Sequence, residues 1–285
     1  MLAHEFMRHA LVAGSLVGLA CGLVGYFVVL RAQVFAGDAL SHIAFTGALA
    51  ASVLGLDLVA GLFAATVLGG LALGLLGRRA RADDVVIGSF FAWTLGLGVL
   101  CLAIFTRTAS AGNGTAGVRV LFGSILGLSA TDVWRSVAVG AITTVVLVGV
   151  ARPLLFVSLD EAVALARGVP VRALGIGFLT LLGLVAAQAS QAVGALLFLG
   201  LLAAPAGAAQ LLTANPFRGL ALSAALAVAS VWIGLTLSYV YPTLPPTSMI
   251  VGVAVGAYAL ALLTRWTRGV RSSARAPAAA QPGAR

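Results

Sequence analysis

The chain contains no lysine, and all 17 of its basic residues are arginines. A Walker A loop needs a lysine to reach the nucleotide phosphates, so this sequence excludes a P-loop ATPase. If ATP drives its function, another subunit hydrolyses it. Charge of any sign is scarce, at 9% of residues, where a soluble globular domain carries about 25%. There are two cysteines, Cys21 and Cys101, both inside apolar runs. Without CxxC or metal-ligand spacing they exclude a disulfide framework and read as buried small hydrophobes. Neither HExxH nor GxSxG occurs, and His4 and His9 near the start make no site alone, so hydrolase readings find no support.

What the chain has in abundance is apolar length. It is 61% hydrophobic over 285 residues, with a mean hydropathy of +1.11. A bilayer core demands ~20 apolar residues per helix. Such runs fall at 10–30, 38–56, 58–77, 85–105, 136–151, 173–191, 193–213, 219–240 and 248–264. They do not alternate as barrel strands would. The expected fold is all-α: a polytopic membrane protein of eight or nine transmembrane helices, forming one helical membrane domain over 10–265. A short amphipathic lead, 1–9, precedes it, with no cleaved signal peptide expected, and a disordered basic tail, 266–285, follows.

The net charge of +9 raises the question of nucleic acid. Five arginines (Arg265, Arg268, Arg271, Arg275, Arg285) crowd the last 21 residues, directly after an apolar run. That is the pattern of a cytoplasmic tail, not of a nucleic-acid surface. The short loop "RRARADD" (78–84), the loop at 152–172 and "NPFR" (215–218) carry most of the remaining arginines and fall on the same side if nine spans alternate. The stretch 119–135 is awkward. Its apolar core, Val120 to Leu128, is too short to span, and a re-entrant or surface helix is expected there. Gly14, Gly18 and Gly22, and again Gly70 and Gly74, recur every four residues. Small-xxx-small faces of this kind let helices approach closely in lipid.

Against this background "GDALSHIAFTG" (37–47) stands out, because it carries Asp38 and His42 four residues apart. On a helix those positions share a face. A charged group at the bilayer centre costs roughly 2.5–3.5 kcal/mol on insertion scales, so such residues line a pathway or meet a partner. Carboxylate oxygen plus imidazole nitrogen suits a first-row divalent ion such as Zn²⁺ or Mn²⁺. Two ligands hold weakly, which passage requires. Two structural alternatives stand beside this: His42 fastens helices by bonding Asp38 or a backbone carbonyl, or Asp38 is a helix N-cap.

Three further segments carry polar or helix-breaking residues. "SLDEAVALARGVPVR" (158–172) places Asp160, Glu161 and Ala162 at the start of a short helix and Gly168 at its stop. It reads as a solvated connector or as a docking element for a cytoplasmic partner. Pro205 lies within a span and is expected to kink it, either beside a pathway or for shape alone. The Pro-rich loop "SYVYPTLPPTS" (238–248) reads as an interface anchor through Tyr239 and Tyr241.

Taken in order, these blocks resemble the permease subunits of the ABC-3 family, the membrane components of bacterial zinc, manganese and iron uptake systems. "GYFVVLRAQVFAGDALSHIAFTGALAA" (25–51) is similar to the family's N-terminal signature. "DDVVIGSFFAWTLGLGVL" (83–100), "LFGSILGLS" (121–129), "SLDEAVALARGVPV" (158–171), "QAVGALLFLGLLAAPAGAAQLL" (191–212) and "GLTLSYVYPTLPPTSMIVGV" (234–253) resemble the later blocks. The resemblance implies a homodimeric permease in the bacterial inner membrane. A cytoplasmic ATP-binding subunit would dock below and an extracytoplasmic metal-binding protein would deliver the ion. It maps the metal path to Asp38 and His42 and the ATPase-coupling loop to Asp160 through Gly168. It implies no permanent cofactor, only a transported ion, with zinc expected first and manganese next. The chain departs from the family at the last outer loop, where Pro246 and Thr247 replace the usual Ser/Thr-Gly turn. The rival reading is a secondary transporter or channel that needs no ATPase. A third is a non-transporting membrane scaffold, which predicts no metal phenotype for Asp38→Asn.

Overall fold

The structure, a computed structural model, describes residues 5–77, 84–108 and 123–274. Ten α-helices account for nearly all of them, and no strand occurs among the described residues. They are α1 (Glu5–Leu30), α2 (Val34–Val53), α3 (Leu58–Leu76), α4 (Asp84–Thr108), α5 (Ala130–Leu159), the short α6 (Glu161–Ala166), α7 (Val171–Ala192), α8 (Ala195–Leu212), α9 (Pro216–Val240) and α10 (Pro246–Ala274). All but α6 are long and apolar enough to cross a membrane, giving nine spans among the described residues. The arginine-bearing segments 152–172 and 215–218 then lie at one end of the bundle, but 152–159, expected as loop, forms the last turns of α5. The loop 78–83 lies outside the described residues.

Local chemistry sets the helix boundaries. Asp57 caps α3 by accepting from the Ala60 amide at 2.7 Å, and Asn215 caps α9 with Pro216 in its first turn. A reciprocal capping box opens α5: the Asp132 amide donates to the Ser129 hydroxyl oxygen, and the Ser129 amide to the Asp132 carboxylate. That box corrects the expectation for 119–135. Residues 130–135 belong to α5, which begins before the predicted 136. Ahead of them, among the described residues, lies a single 3₁₀ turn, Ile125–Gly127, where a re-entrant or surface helix was expected. Gly123 takes φ +71 against the backbone of Val193 and Gly194, and Ile125 is buried. The segment is therefore a plug tied to the α7–α8 corner. Residues 119–122 lie outside the described residues.

The expected tail also needs correction. α10 continues to Ala274, so 266–274 is helix where disorder was expected. Arginine is a good helix former and sustains the run. Residues 275–285 lie outside the described residues. At the other end, the described part of the lead, from Glu5, is the first turns of α1.

α1 runs through the centre of the bundle, against α5, α7, α8 and α9, while α2 packs on α3, α4, α7 and α8. The small-residue faces meet as expected. A Cβ on Gly22 would stand 2.6 Å from the Ala224 Cα of α9, and one on Gly70 would meet the Leu179 carbonyl of α7. Ser223 seals the first contact by donating to the Gly22 carbonyl at 2.6 Å. α4 sits at the edge. It touches α2 broadly and α3 thinly, and its outward side exposes Val85, Trp93, Val99 and Leu100.

Candidate functional site

Asp38 and His42 both lie on α2, well inside the helix. The N-cap position is Gln33, which rules out Asp38 as the cap. The His42 Nε2 and Asp38 Oδ1 atoms stand 3.9 Å apart. That is too long for a hydrogen bond and leaves both groups with donor capacity for an ion between or beside them. Their side chains are 18% and 33% exposed respectively, so the pair is mostly covered but still partly open.

Neighbouring residues fix this face. On the inner side Gly37 lets α2 close on Leu202 of α8, where a Cβ would stand 2.8 Å from the leucine methyl. On the outer side Phe91 of α4 meets the His42 ring edge-on, with centroids 5.1 Å apart. α4 is held there by Thr46, whose hydroxyl donates to the Thr94 carbonyl at 3.1 Å. No third His, Cys, Asp or Glu joins the pair among the described residues. One chain thus supplies two donors, short of the four a zinc ion takes or the six favoured by harder divalent ions.

The second predicted group forms the compact element α6. Asp160 both ends α5 and caps α6, accepting from the Val163 amide at 3.0 Å. Gly168 at φ +77 stops the helix, with the Val169 amide reaching back to the Ala164 carbonyl at 3.1 Å. Ala164 is fully buried against Val157 and Val171. Glu161 is half-buried and Ala162 exposed. Sequence reasoning missed the apolar residues that this turn holds in the open: Leu159, Val163 and Leu165, 68%, 42% and 50% exposed. Their signal was present, as leucines and a valine in a loop that arginines place in water.

Pro205 lies inside a continuous α8, on its buried face with Phe198, Leu201 and Leu202. A cavity of about 410 Å³ beside α8 is lined by Leu199, Gly200, Ala203, Gly207 and Tyr258, and not by Pro205. In the loop at 238–248, Pro246 opens α10 and Thr247 is buried, while Tyr239 and Tyr241 are exposed. The loop walls a cleft of about 410 Å³ with Phe6, Met7 and Leu126.

Comparison with known proteins follows this geometry. Residues 3–265 match the model of the ABC 3 transport family. The manganese transport system membrane protein MntC of Halalkalibacterium halodurans is 32% identical over 281 residues, 95% of this chain and 94% of that one. A probable iron transport system membrane protein of Haemophilus influenzae is 30% identical, over 84% of this chain and 86% of its own. Among solved structures, a chain of PsaBC from Streptococcus pneumoniae in complex with Fab superposes with a TM-score of 0.77 at 28% identity, covering 90% of this chain and 91% of that one.

Proposed function

This chain belongs to the ABC 3 transport family, and we propose that it is the membrane permease of an ATP-driven importer for a first-row divalent metal ion. The observation that carries the reading is the Asp38–His42 pair, 3.9 Å apart on one face of a membrane helix. The family's transport chemistry demands a partner for the missing lysine: a separate ATP-binding subunit, docking on the exposed Leu159, Val163 and Leu165 around α6. A binding protein on the opposite side delivers the ion.

The half-exposed carboxylate supports a homodimer. A charge left partly open within a membrane span is costly, and two donors per chain make an incomplete shell. A second copy placed across the α2–α4 edge covers Asp38 and brings the donors to four. The cation neutralises the carboxylates as it passes. Manganese now stands ahead of zinc, because several similar proteins are named as manganese systems and carboxylate with imidazole suits either ion.

The test is uptake of radiolabelled manganese, with zinc as competitor, in cells expressing the chain with its ATPase and binding protein. Asp38→Asn and His42→Ala are expected to lower uptake at least about tenfold at normal membrane levels, the scale on which lost donors act. Uptake that survives both changes sinks the reading. Uptake by the purified chain alone, down an ion gradient, would instead favour the ATP-independent carrier.

A further inference from the structure

We infer that Arg31, with Gln33 and Phe178, is the link that carries movement of the α6 docking helix to the Asp38–His42 pair. The inference rests on the proposed ATP-driven reading.

Arg31 is 2% exposed, an unusual fate for an arginine. It sits at the α1–α2 corner, where its amide closes α1 by donating to Phe27 at 2.9 Å. Its guanidinium lies over the ring of Phe178 in α7, 5.2 Å from the centroid. Its Nε donates to the Gln33 side-chain oxygen at 3.2 Å. Gln33 is the residue from which α2 starts, yet its side chain does not cap that helix. Its amide oxygen accepts from Arg31 instead. The first turn of α2 is therefore fastened through Arg31 to α7.

α7 connects directly to the docking element. Val171, its first residue, packs with Ala164 of α6. Val171, Gly175, Phe178 and Leu182 follow one another along its buried residues, at the three- and four-residue spacing of a single helix face. Phe178 is thus two turns above the docking contact. Asp38 is five residues beyond Gln33, and His42 one turn further. The path α6, α7, Arg31, α2 is short, packed and made of rigid elements, the form in which coupling between sites travels.

The simpler alternative is that Arg31 merely complements the carbonyl end of α1. The two roles separate cleanly. Arg31→Lys keeps the positive charge at the helix end and loses the planar fork and its stacking. Phe178→Leu keeps apolar volume and loses the ring face.

The experiment uses the full transporter, permease with its ATPase, in proteoliposomes with the metal-loaded binding protein outside. ATP hydrolysis and manganese transport are read together. In the wild type, loaded binding protein must stimulate hydrolysis; if it does not, the ATP-driven reading fails and not this link. For Arg31→Lys and Phe178→Leu we expect basal hydrolysis within twofold of wild type. Stimulation is expected to be lost, and the number of ATP molecules spent per ion to rise at least fivefold. Two results would overturn the inference: unchanged coupling in either variant, or hydrolysis and transport falling in the same proportion. Should Arg31→Lys fail to assemble, Gln33→Met, which cuts the side-chain bond alone, stands in for it with the same expectations.

Discussion

Ala32 holds a left-handed conformation, φ +53, where helices that end this way usually place glycine. The bonds around it form a complete Schellman closure. The Gln33 amide reaches Val28 at 2.8 Å and the Ala32 amide reaches Val29 at 3.1 Å. A left-handed alanine costs roughly 1–2 kcal/mol, while glycine gives back about 0.4–1 kcal/mol through the unfolded chain. Ala32→Gly should therefore leave stability unchanged or raise it slightly. Ala32→Val should lower it by about 1–2 kcal/mol, since a branched side chain is worse still at positive φ. Thermal unfolding in detergent reads both, and a stabilising valine would contradict the reading. Sequence alone gave no hint of this site, because alanine does not advertise positive φ. Asp38 and His42 were legible for the opposite reason. A carboxylate and an imidazole in an apolar run are improbable unless they face something polar. Their separation, the Phe91 contact and the half-open exposure depend on how α2 and α4 pack, which no local pattern encodes.

Pairs of helices were more legible than single residues. The four-residue glycine spacings foretold close approach, and the structure adds which helix each face meets: α9 for Gly22 and α7 for Gly70. Gly70→Ala places a methyl against the Leu179 carbonyl and is expected to cost about 2–3 kcal/mol, toward the upper range for single substitutions. Gly149→Ala, in α5 with open space around it, should stabilise by up to about 1 kcal/mol through helix propensity. Opposite signs in one unfolding assay are the expected outcome; matching signs would mean that the glycine face of α3 is not a packing device. The segment at 119–135 was misread at this scale because a short apolar stretch looks the same as a plug, a surface helix or the first turns of a span. The Ser129–Asp132 box decides among them, and its SxxD spacing was visible but passed over.

For the whole molecule, composition was decisive. Scarce charge and recurrent apolar runs called for eight or nine membrane helices, and the structure has nine among the described residues. What composition does not contain is the division between anchored and loosely held parts. α1, at the centre, is buried along most of its length, whereas only 17% of the most apolar stretch of α4 is buried. α4 flanks the Asp38–His42 pair of α2, so in the proposed homodimer changes at Trp93 or Val99 on its outward side should affect assembly of two copies before they affect folding. Native mass spectrometry of Trp93→Glu is the check, with a shift from dimer to folded monomer expected. A persistent dimer would place the contact elsewhere.

Asp160 belongs to two helices at once, closing α5 and opening α6 with nothing between. A joint one residue long has no slack, so in the proposed coupling role it is a clutch plate whose angular setting matters more than its strength. Each added residue turns an α-helix by about 100°. One alanine inserted after Asp160 would leave every membrane helix in place and still aim Val163 and Leu165 in the wrong direction. The result would be a transporter whose motor runs out of phase with its gate.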